Sequence, residues 1–183
     1  MGKVLLDMAI SLDGFIGRLD DEDAGLYDWY FAPEDEAAAV KDELVESTGA
    51  MILGRRCFGD DPDGFDTPYK IPHFVLTHTA RETIDRDGMQ FIFVTDGIER
   101  ALDLAQAAAG DKLVCVAGGA QTAQQFIRAG LIDEIQLHLV PILLGDGKRL
   151  FDQTGADVLK LERTRVIEGQ GVTHLRFRTV RSA

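Results

Sequence analysis

The sequence is poor in several features that would narrow its function. It holds only two cysteines, Cys57 and Cys115, in 183 residues. That is too few for a disulfide framework, and the two are too far apart for a zinc pattern. Cys115 lies in an apolar strand-like segment and reads as a small core residue. Cys57 stands beside two arginines, which would lower its pKa if the thiol were exposed, but no histidine partner is near in sequence. No apolar run approaches the roughly 20 residues a membrane helix needs. Met1-Gly2-Lys3 runs into a strand-like segment without a signal-peptide core, and Leu6 stands where a myristoylation signal would place Ser or Thr. These features read as a cytosolic chain with no membrane attachment. Basic residues are also scarce, 19 against 31 acidic ones, for a net charge of −12. Nucleic acid and anionic lipid would be repelled at long range, so the expected partner is a small molecule. The sequence carries no Gly-x-Ser-x-Gly elbow, Walker A loop, Cys-x-x-Cys pair or His-Glu-x-x-His helix. His73, His78, His138 and His174 are dispersed without metal spacing. Hydrolase, phosphoryl-transfer and zinc chemistries have no support, and no metal is expected.

What is present is an alternation of strand-like and helix-like segments within a length that fits one domain, taken as residues 1–183. Strands are predicted at Val4–Ile10, Ala50–Leu53, His73–Thr77, Gln90–Thr95, Leu113–Ala117 and Ile135–Leu144, with Pro141 marking an edge or a break in pairing. Helices are predicted from Pro33 to Thr48, stopped by Gly49, then over Gly97–Ala109, stopped by Gly110, and from Gly119 to about Ala129, closed by Gly130. Asp20 to Ala32 is acidic and aromatic, and Asp60 to Pro72 reads as a surface loop. Val158–Ile167 and Val172–Val180 flank Glu168-Gly169-Gln170-Gly171 as an antiparallel hairpin.

Three segments carry candidate chemistry. At Gly118-Gly119 a buried strand ends in two glycines and a helix begins. Backbone there can approach a ligand closely, and the N–H groups of Ala120, Gln121 and Thr122 are free to receive a phosphate. The same glycines would also serve a tight turn with no ligand, and the spacing is not the Gly-x-Gly-x-x-Gly fingerprint. At Gly54-Arg55-Arg56 two cations sit where a helical turn begins, against the macrodipole. They face either an anionic ligand or acids such as Asp60 and Asp61. At Ser11-Leu12-Asp13-Gly14, Asp13 is a proton donor, a substrate-orienting group or an Asx-turn residue. Asp7 is odder, because a carboxylate within an apolar strand needs a partner or a solvated face. Trp29, with Tyr27 and Tyr30, is placed to wall a pocket for a flat heterocycle or to anchor the core. If the strands are parallel, Gly54, Thr77 and Gly118 share the carboxyl edge where ligands of open α/β sheets bind.

In this order, Met8–Gly17, Ile52–Phe58, Phe74–Thr77, Val116–Ala120 and Leu131–Gly147 resemble the dihydrofolate-reductase-like superfamily. They are most similar to the reductase domain of bacterial riboflavin-biosynthesis deaminase-reductases, standing without the deaminase half. The resemblance implies a three-layer α/β fold, with a central, mostly parallel sheet and a C-terminal antiparallel hairpin. It further implies NADPH as cofactor and a homodimer. By the same resemblance a cis peptide joins Gly118 to Gly119, and the pyrophosphate lies at Gly118, Gly119 and the start of the helix (Ala120, Gln121, Thr122). Gly54, Arg55 and Arg56 would line the phosphates, Thr77 and His78 would lie near the adenosine 2′-phosphate, and Ala9, Ile16 and Gly17 would flank the nicotinamide. Asp7, Ser11 and Trp29 would face substrate, with Asp13 polarising or protonating it.

One departure bears on substrate. Dihydrofolate reductases carry an acid in the first helix, and the corresponding run here is Ala37-Ala38-Ala39. A ribosylated pyrimidine of the 5-amino-6-(5-phosphoribosylamino)uracil type is therefore the expected substrate. The alternatives are a nucleotide-binding module without catalysis, and a dihydrofolate-reductase-like enzyme that uses another acid, such as Asp7.

Overall fold

The computed structural model describes residues 2–20, 24–31, 35–59, 67–155 and 158–180. The start of the predicted helix at Pro33 and most of the Asp60–Pro72 loop lie outside the described residues, as do Asp60 and Asp61. Nine strands form a single sheet: β1 (Val4–Ser11), β2 (Thr48–Gly54), β3 (Pro72–Leu76), β4 (Ile84–Arg86), β5 (Met89–Val94), β6 (Leu113–Val116), β7 (Glu134–Val140), β8 (Lys160–Gly169) and β9 (Val172–Val180). Their order across the sheet is β4-β5-β3-β2-β6-β1-β7-β9-β8. From β5 to β7 every pairing is parallel. Antiparallel β4 closes one edge, and the β8–β9 hairpin extends the other.

Among the described residues five helices accompany the sheet: α1 (Asp28–Phe31), α2 (Asp35–Ser47), α3 (Arg55–Phe58), α4 (Gly97–Ala109) and α5 (Ala120–Arg128). Alternation along β1 sorts its side chains between two layers, as the two-residue period of a strand requires. Leu6, Met8 and Ile10 pack with Ala101, Ala105, Ala123 and Phe126 of α4 and α5. Leu5 packs on the opposite face with Val40 and Leu44 of α2 and with Phe58 of α3. Asp7, Ala9 and Ser11 share that second face by the same alternation.

The structure corrects two predicted boundaries. Thr48 and Gly49 belong to β2, so helix α2 passes into its strand with no intervening loop. Gly49 therefore does not stop the helix. A Cβ there would come within 2.8 Å of the Ala109 Cα, so glycine lets β2 lie close against the end of α4. Strand β7 ends at Val140, making Pro141 a terminator instead of a mid-strand residue. The short elements α1 and β4 leave no mark in the sequence pattern. Four and three residues respectively are too few for periodicity to register.

Candidate active site

Because β1, β2, β3 and β6 run parallel, their carboxyl ends fall on one edge of the sheet. Gly54, Thr77 and Gly118 stand together there. The Gly54 N–H donates to the Gly118 carbonyl at 2.8 Å, and the Ala117 N–H donates to the Ile52 carbonyl at 3.0 Å. Gly118 has φ 101°, and a Cβ on it would press on Met8 Sδ at 2.9 Å. Glycine is thus required both by backbone conformation and by space. The peptide between Gly118 and Gly119 is cis.

Helix α5 starts immediately after this turn, with Gly119 at its N-cap and no side-chain cap. Its first intrahelical N–H donor is Ala123, which bonds the Gly119 carbonyl at 3.1 Å. The amides of Ala120, Gln121 and Thr122 precede the first helical donor and point outward, as in any helix first turn. A Cβ on Gly119 would meet nothing within 4 Å, so space lies open beside these donors. This cradle suits a phosphate group, which needs several N–H donors and no side chain in the way.

The basic pair of α3 flanks the cradle. Arg56 donates to Gln121 Oε1 at 3.2 Å, which brings a cation to the first turn of α5. Arg55 folds back onto the carbonyl of Gly59. The Cys57 Sγ lies toward the Ala117 carbonyl at 3.8 Å. Although the residue is exposed, desolvation of the thiol by the atoms packed around it pushes its pKa up, the opposite direction from that expected of the two arginines. Thr77 continues the same edge: its N–H donates to the Val94 carbonyl at 3.1 Å, and its hydroxyl accepts from the Thr79 N–H at 3.2 Å. His78 beside it is exposed.

On the other side of β6 the loop after β1 folds against residues 142–150. Ala9 and Ile16 are buried, and the Gly17 carbonyl accepts from the Lys148 N–H at 2.8 Å. Ser11 is buried, and its hydroxyl donates to Asp13 Oδ1 at 2.6 Å. The Asp13 carboxylate also accepts from the amides of Leu144 at 3.1 Å and Gly145 at 2.7 Å. These bonds, that from Ser11 first, hold its pKa down at about 2. A group so arranged is ionised at neutral pH and ties two loops together. This is the wrong direction for a proton donor, and the Ser11 hydroxyl is committed to the same tie.

Asp7 finds the partner its position in an apolar strand demanded. His138 Nε2 lies 2.9 Å from Asp7 Oδ1, and His138 Nδ1 lies 2.6 Å from His174 Nδ1. Trp29 covers the pair, its ring centroid 4.3 Å from that of His138 and 5.0 Å from that of His174. Two of the dispersed histidines thus meet across β7 and β9, a convergence that sequence spacing did not reveal. The available signal was Asp7 itself, an isolated carboxylate needing a donor.

A mixed sheet of this order, with a paired-glycine turn opening α5, defines a dihydrofolate-reductase-like α/β protein. The chain belongs to the RibD C-terminal domain family, whose sequence pattern it matches over residues 2–175. It is 28% identical over 173 residues to the uncharacterized protein YyaP of Bacillus subtilis (strain 168), covering 89% of this chain and 88% of that one. Its fold is similar to the diaminohydroxyphosphoribosylaminopyrimidine deaminase/5-amino-6-(5-phosphoribosylamino)uracil reductase of Thermotoga maritima, with TM-score 0.69 and 16% identity. That likeness covers 98% of this chain and 57% of the Thermotoga chain. The dihydrofolate reductase of Enterococcus faecalis, solved with NADP(H), shares the fold at TM-score 0.59 and 15% identity, covering 97% of this chain and 96% of that one. No helix among the described residues is long and apolar enough to cross a membrane.

Proposed function

We propose that the chain is an NADPH-dependent reductase of a flat heterocyclic substrate, of the 5-amino-6-(5-phosphoribosylamino)uracil reductase type. The observation that carries this reading is the open cradle at Gly118-Gly119 and the α5 amides, flanked by Arg56 through its bond to Gln121. A dinucleotide pyrophosphate matches that donor set, and membership of the RibD C-terminal domain family supports the match.

In this reading Gly118, Gly119, Ala120, Gln121 and Thr122 hold the pyrophosphate, and Gly54, Arg55 and Arg56 line it. Thr77 and the exposed His78 sit toward the adenosine 2′-phosphate, which would distinguish NADPH from NADH. Ala9, Ile16 and Gly17 form the wall against the nicotinamide, while Asp7 and Trp29 face substrate. When bound, the cofactor supplies the hydride; the protein's part is positioning and electrostatics. Asp13 acts here through its ties to Ser11, Leu144 and Gly145, fixing the loop that carries Ile16 and Gly17. The exposed edge strand β8, with Leu161 and Val166 each more than two-fifths accessible, supports a homodimer that covers it.

Titration with NADPH and NADH, followed by turnover of the pyrimidine substrate, tests the reading. Saturable NADPH binding with weaker NADH binding, and substrate-dependent NADPH oxidation, are expected. Binding of neither nucleotide overturns it. Binding without turnover would identify a nucleotide-binding module instead.

A further inference from the structure

Asp7, His138 and His174 lie on the adjacent strands β1, β7 and β9, with His138 opposite Ala9 on one side and opposite His174 on the other. The Nδ1 atoms of the two histidines are 2.6 Å apart. Two bare nitrogens would repel at that separation, and so would two N–H groups, so the rings share one proton between them. His138 donates its Nε2–H to the Asp7 carboxylate, which leaves its Nδ1 bare to accept Nδ1–H from His174. The far nitrogen, His174 Nε2, is then an acceptor, and it is buried without a hydrogen-bond partner among the described residues. Both bonds run in one direction, from His174 toward Asp7.

The chain is closed at the histidines and open at the carboxylate. The His138 side chain is 2% exposed, whereas Asp7 is 16% exposed. Asp7 and Ala9 point to the same face of β1, about 7 Å apart along the strand. The carboxylate therefore lies one pleat from the wall assigned above to the nicotinamide. Asp13, the other acid of this region, is tied up by Ser11, Leu144 and Gly145.

We propose that Asp7 is the acid of the reaction, and that His138 and His174 are positioning residues that return a proton to it along the line His174–His138–Asp7. The proposal rests on the reductase reading. Reduction of a C=N bond adds a hydride to carbon and a proton to nitrogen, so NADPH loses two electrons and becomes NADP⁺ while the substrate gains them. The substrate nitrogen takes its proton from the Asp7 carboxyl, leaving a carboxylate. His174 takes one proton from water at Nε2 and releases Nδ1–H to His138 Nδ1. His138 releases Nε2–H to Asp7 Oδ1. One proton enters and one leaves, and neither ring keeps a charge; both rings end in the opposite tautomer, and their N–H hydrogens must return to His174 Nδ1 and His138 Nε2 before the next turnover.

The surroundings suit a ring that passes a proton without holding it. Burial, with His138 beside it, brings His174 down to about 4, so it rests neutral. Arg165 adds to this, and the Asp7 charge opposes it. The Asp7 charge also reaches Tyr69 and Cys115 and, after burial, helps push both of them up. Glu43 and Arg176 join Arg165 along a narrow groove between α2 and β7–β9 that His174 also lines. His174 Nε2 is buried beneath this groove, so the relay requires water to enter along it.

The test compares wild type with Asp7→Asn, Asp7→Leu and His174→Asn. In the last of these the asparagine amide keeps a donor where Nδ1 stood but cannot conduct a proton. Asp7→Asn is expected to lower kcat on 5-amino-6-(5-phosphoribosylamino)uracil at least 100-fold while NADPH binding, read from Trp29 fluorescence, stays within about twofold. His174→Asn is expected to lower kcat about tenfold at unchanged KM, to alter the pH profile, and to be rescued by added imidazole. Nitrogen-15 NMR of the histidines is a readout free of substrate: removing the acceptor with Asp7→Leu should shift the tautomer balance at His174, two hydrogen bonds away. Wild-type kcat and pH profile in both the Asp7→Asn and His174→Asn variants overturn the relay and leave the reductase reading standing. So does a His174 tautomer balance untouched by Asp7→Leu. A wild-type protein that binds no NADPH, yet shows the coupled tautomer shift, overturns the reductase reading and with it the role of Asp7 as acid.

Discussion

The Gly54 N–H donates to the Gly118 carbonyl at 2.8 Å, joining the carboxyl ends of β2 and β6. That bond brings the basic turn of α3 and the open N-terminus of α5 side by side, although the two glycines stand far apart in sequence. It also makes the cradle depend on two backbones at once, so changes at either strand end should be felt at both.

Gly118→Ala tests the cradle. The new Cβ would press on Met8 Sδ, and alanine is poorly suited to φ 101°. We expect a loss of stability on the order of 1–3 kcal/mol, read by chemical denaturation, together with weakened NADPH binding. Gly119→Ala is the informative companion. Its Cβ would enter open space, so folding should be retained while a phosphate loses room. Equal NADPH affinity in Gly119→Ala and wild type would argue against a phosphate at this turn.

Arg56→Ala should act differently from either glycine change. Arg56 is exposed and bonds Gln121 at 3.2 Å, a surface contact of little weight for folding, so unfolding curves should superpose on those of wild type. A charge-assisted contact to phosphate is strong enough that its loss should weaken NADPH binding by roughly tenfold. Isothermal titration at low and moderate salt measures both the loss and its expected screening.

Much of this arrangement is visible in the sequence, and the parts that are not share a physical cause. Helix α4 was legible to the residue because Gly97 and Gly110 bound it and its apolar stripe is regular. The Gly118-Gly119 turn and the Gly54-Arg55-Arg56 turn were legible as strand ends, since glycine and charge interrupt apolar runs there. Gly49 reads from sequence as a helix stop because a glycine that stops a helix looks like one that admits a neighbouring backbone; only the nearness of Ala109 tells them apart. The His138–His174 contact was invisible for a related reason. It depends on the register of β7 against β9, which no local pattern specifies. Asp13 was legible as a turn acid, but its bonds to Leu144 and Gly145 come from a loop 131 and 132 residues away.

Asp13→Asn should reveal a structural acid through its pH dependence. The folded pKa, about 2, lies below the ordinary 3.8. A depressed carboxylate contributes stability above its unfolded pKa and loses it as pH falls through the folded one. The variant should therefore melt below wild type at pH 7, and the two should converge between about pH 4 and pH 2. A constant gap across that window would show that the charge is not what ties the loops.

The buried histidines predict a second, earlier acid response. Burial brings both His73 and His174 down to about 4 from the ordinary 6.5. For a histidine kept neutral in the fold, the unfolded chain binds more protons between the two values, so stability falls as pH drops from 6.5 toward 4. His174→Gln should flatten part of that slope, and His73→Gln should flatten another part independently. Denaturation midpoints collected through this window decide it. A slope unchanged in both variants would mean that neither ring stays neutral in the folded protein.

Gly147→Ala probes the loop pair that Asp13 ties. Gly147 has φ 151°, and a Cβ there would overlap the carbonyl oxygen of Gly17, a backbone atom with no rotamer to move away. The Gly17 carbonyl also accepts from the Lys148 N–H at 2.8 Å, and the Ile16 N–H donates to the Lys148 carbonyl at 2.9 Å. The substitution must either break this ladder or push residues 16 and 17 outward. Either outcome should cost about 2 kcal/mol. It should also weaken NADPH binding, because Ile16 and Gly17 form the proposed wall for the nicotinamide. The two effects separate by using a truncated nucleotide. Binding of 2′-phospho-ADP-ribose, which lacks the nicotinamide, should survive Gly147→Ala while that of NADPH falls. Equal losses for both ligands would place the nicotinamide away from this loop.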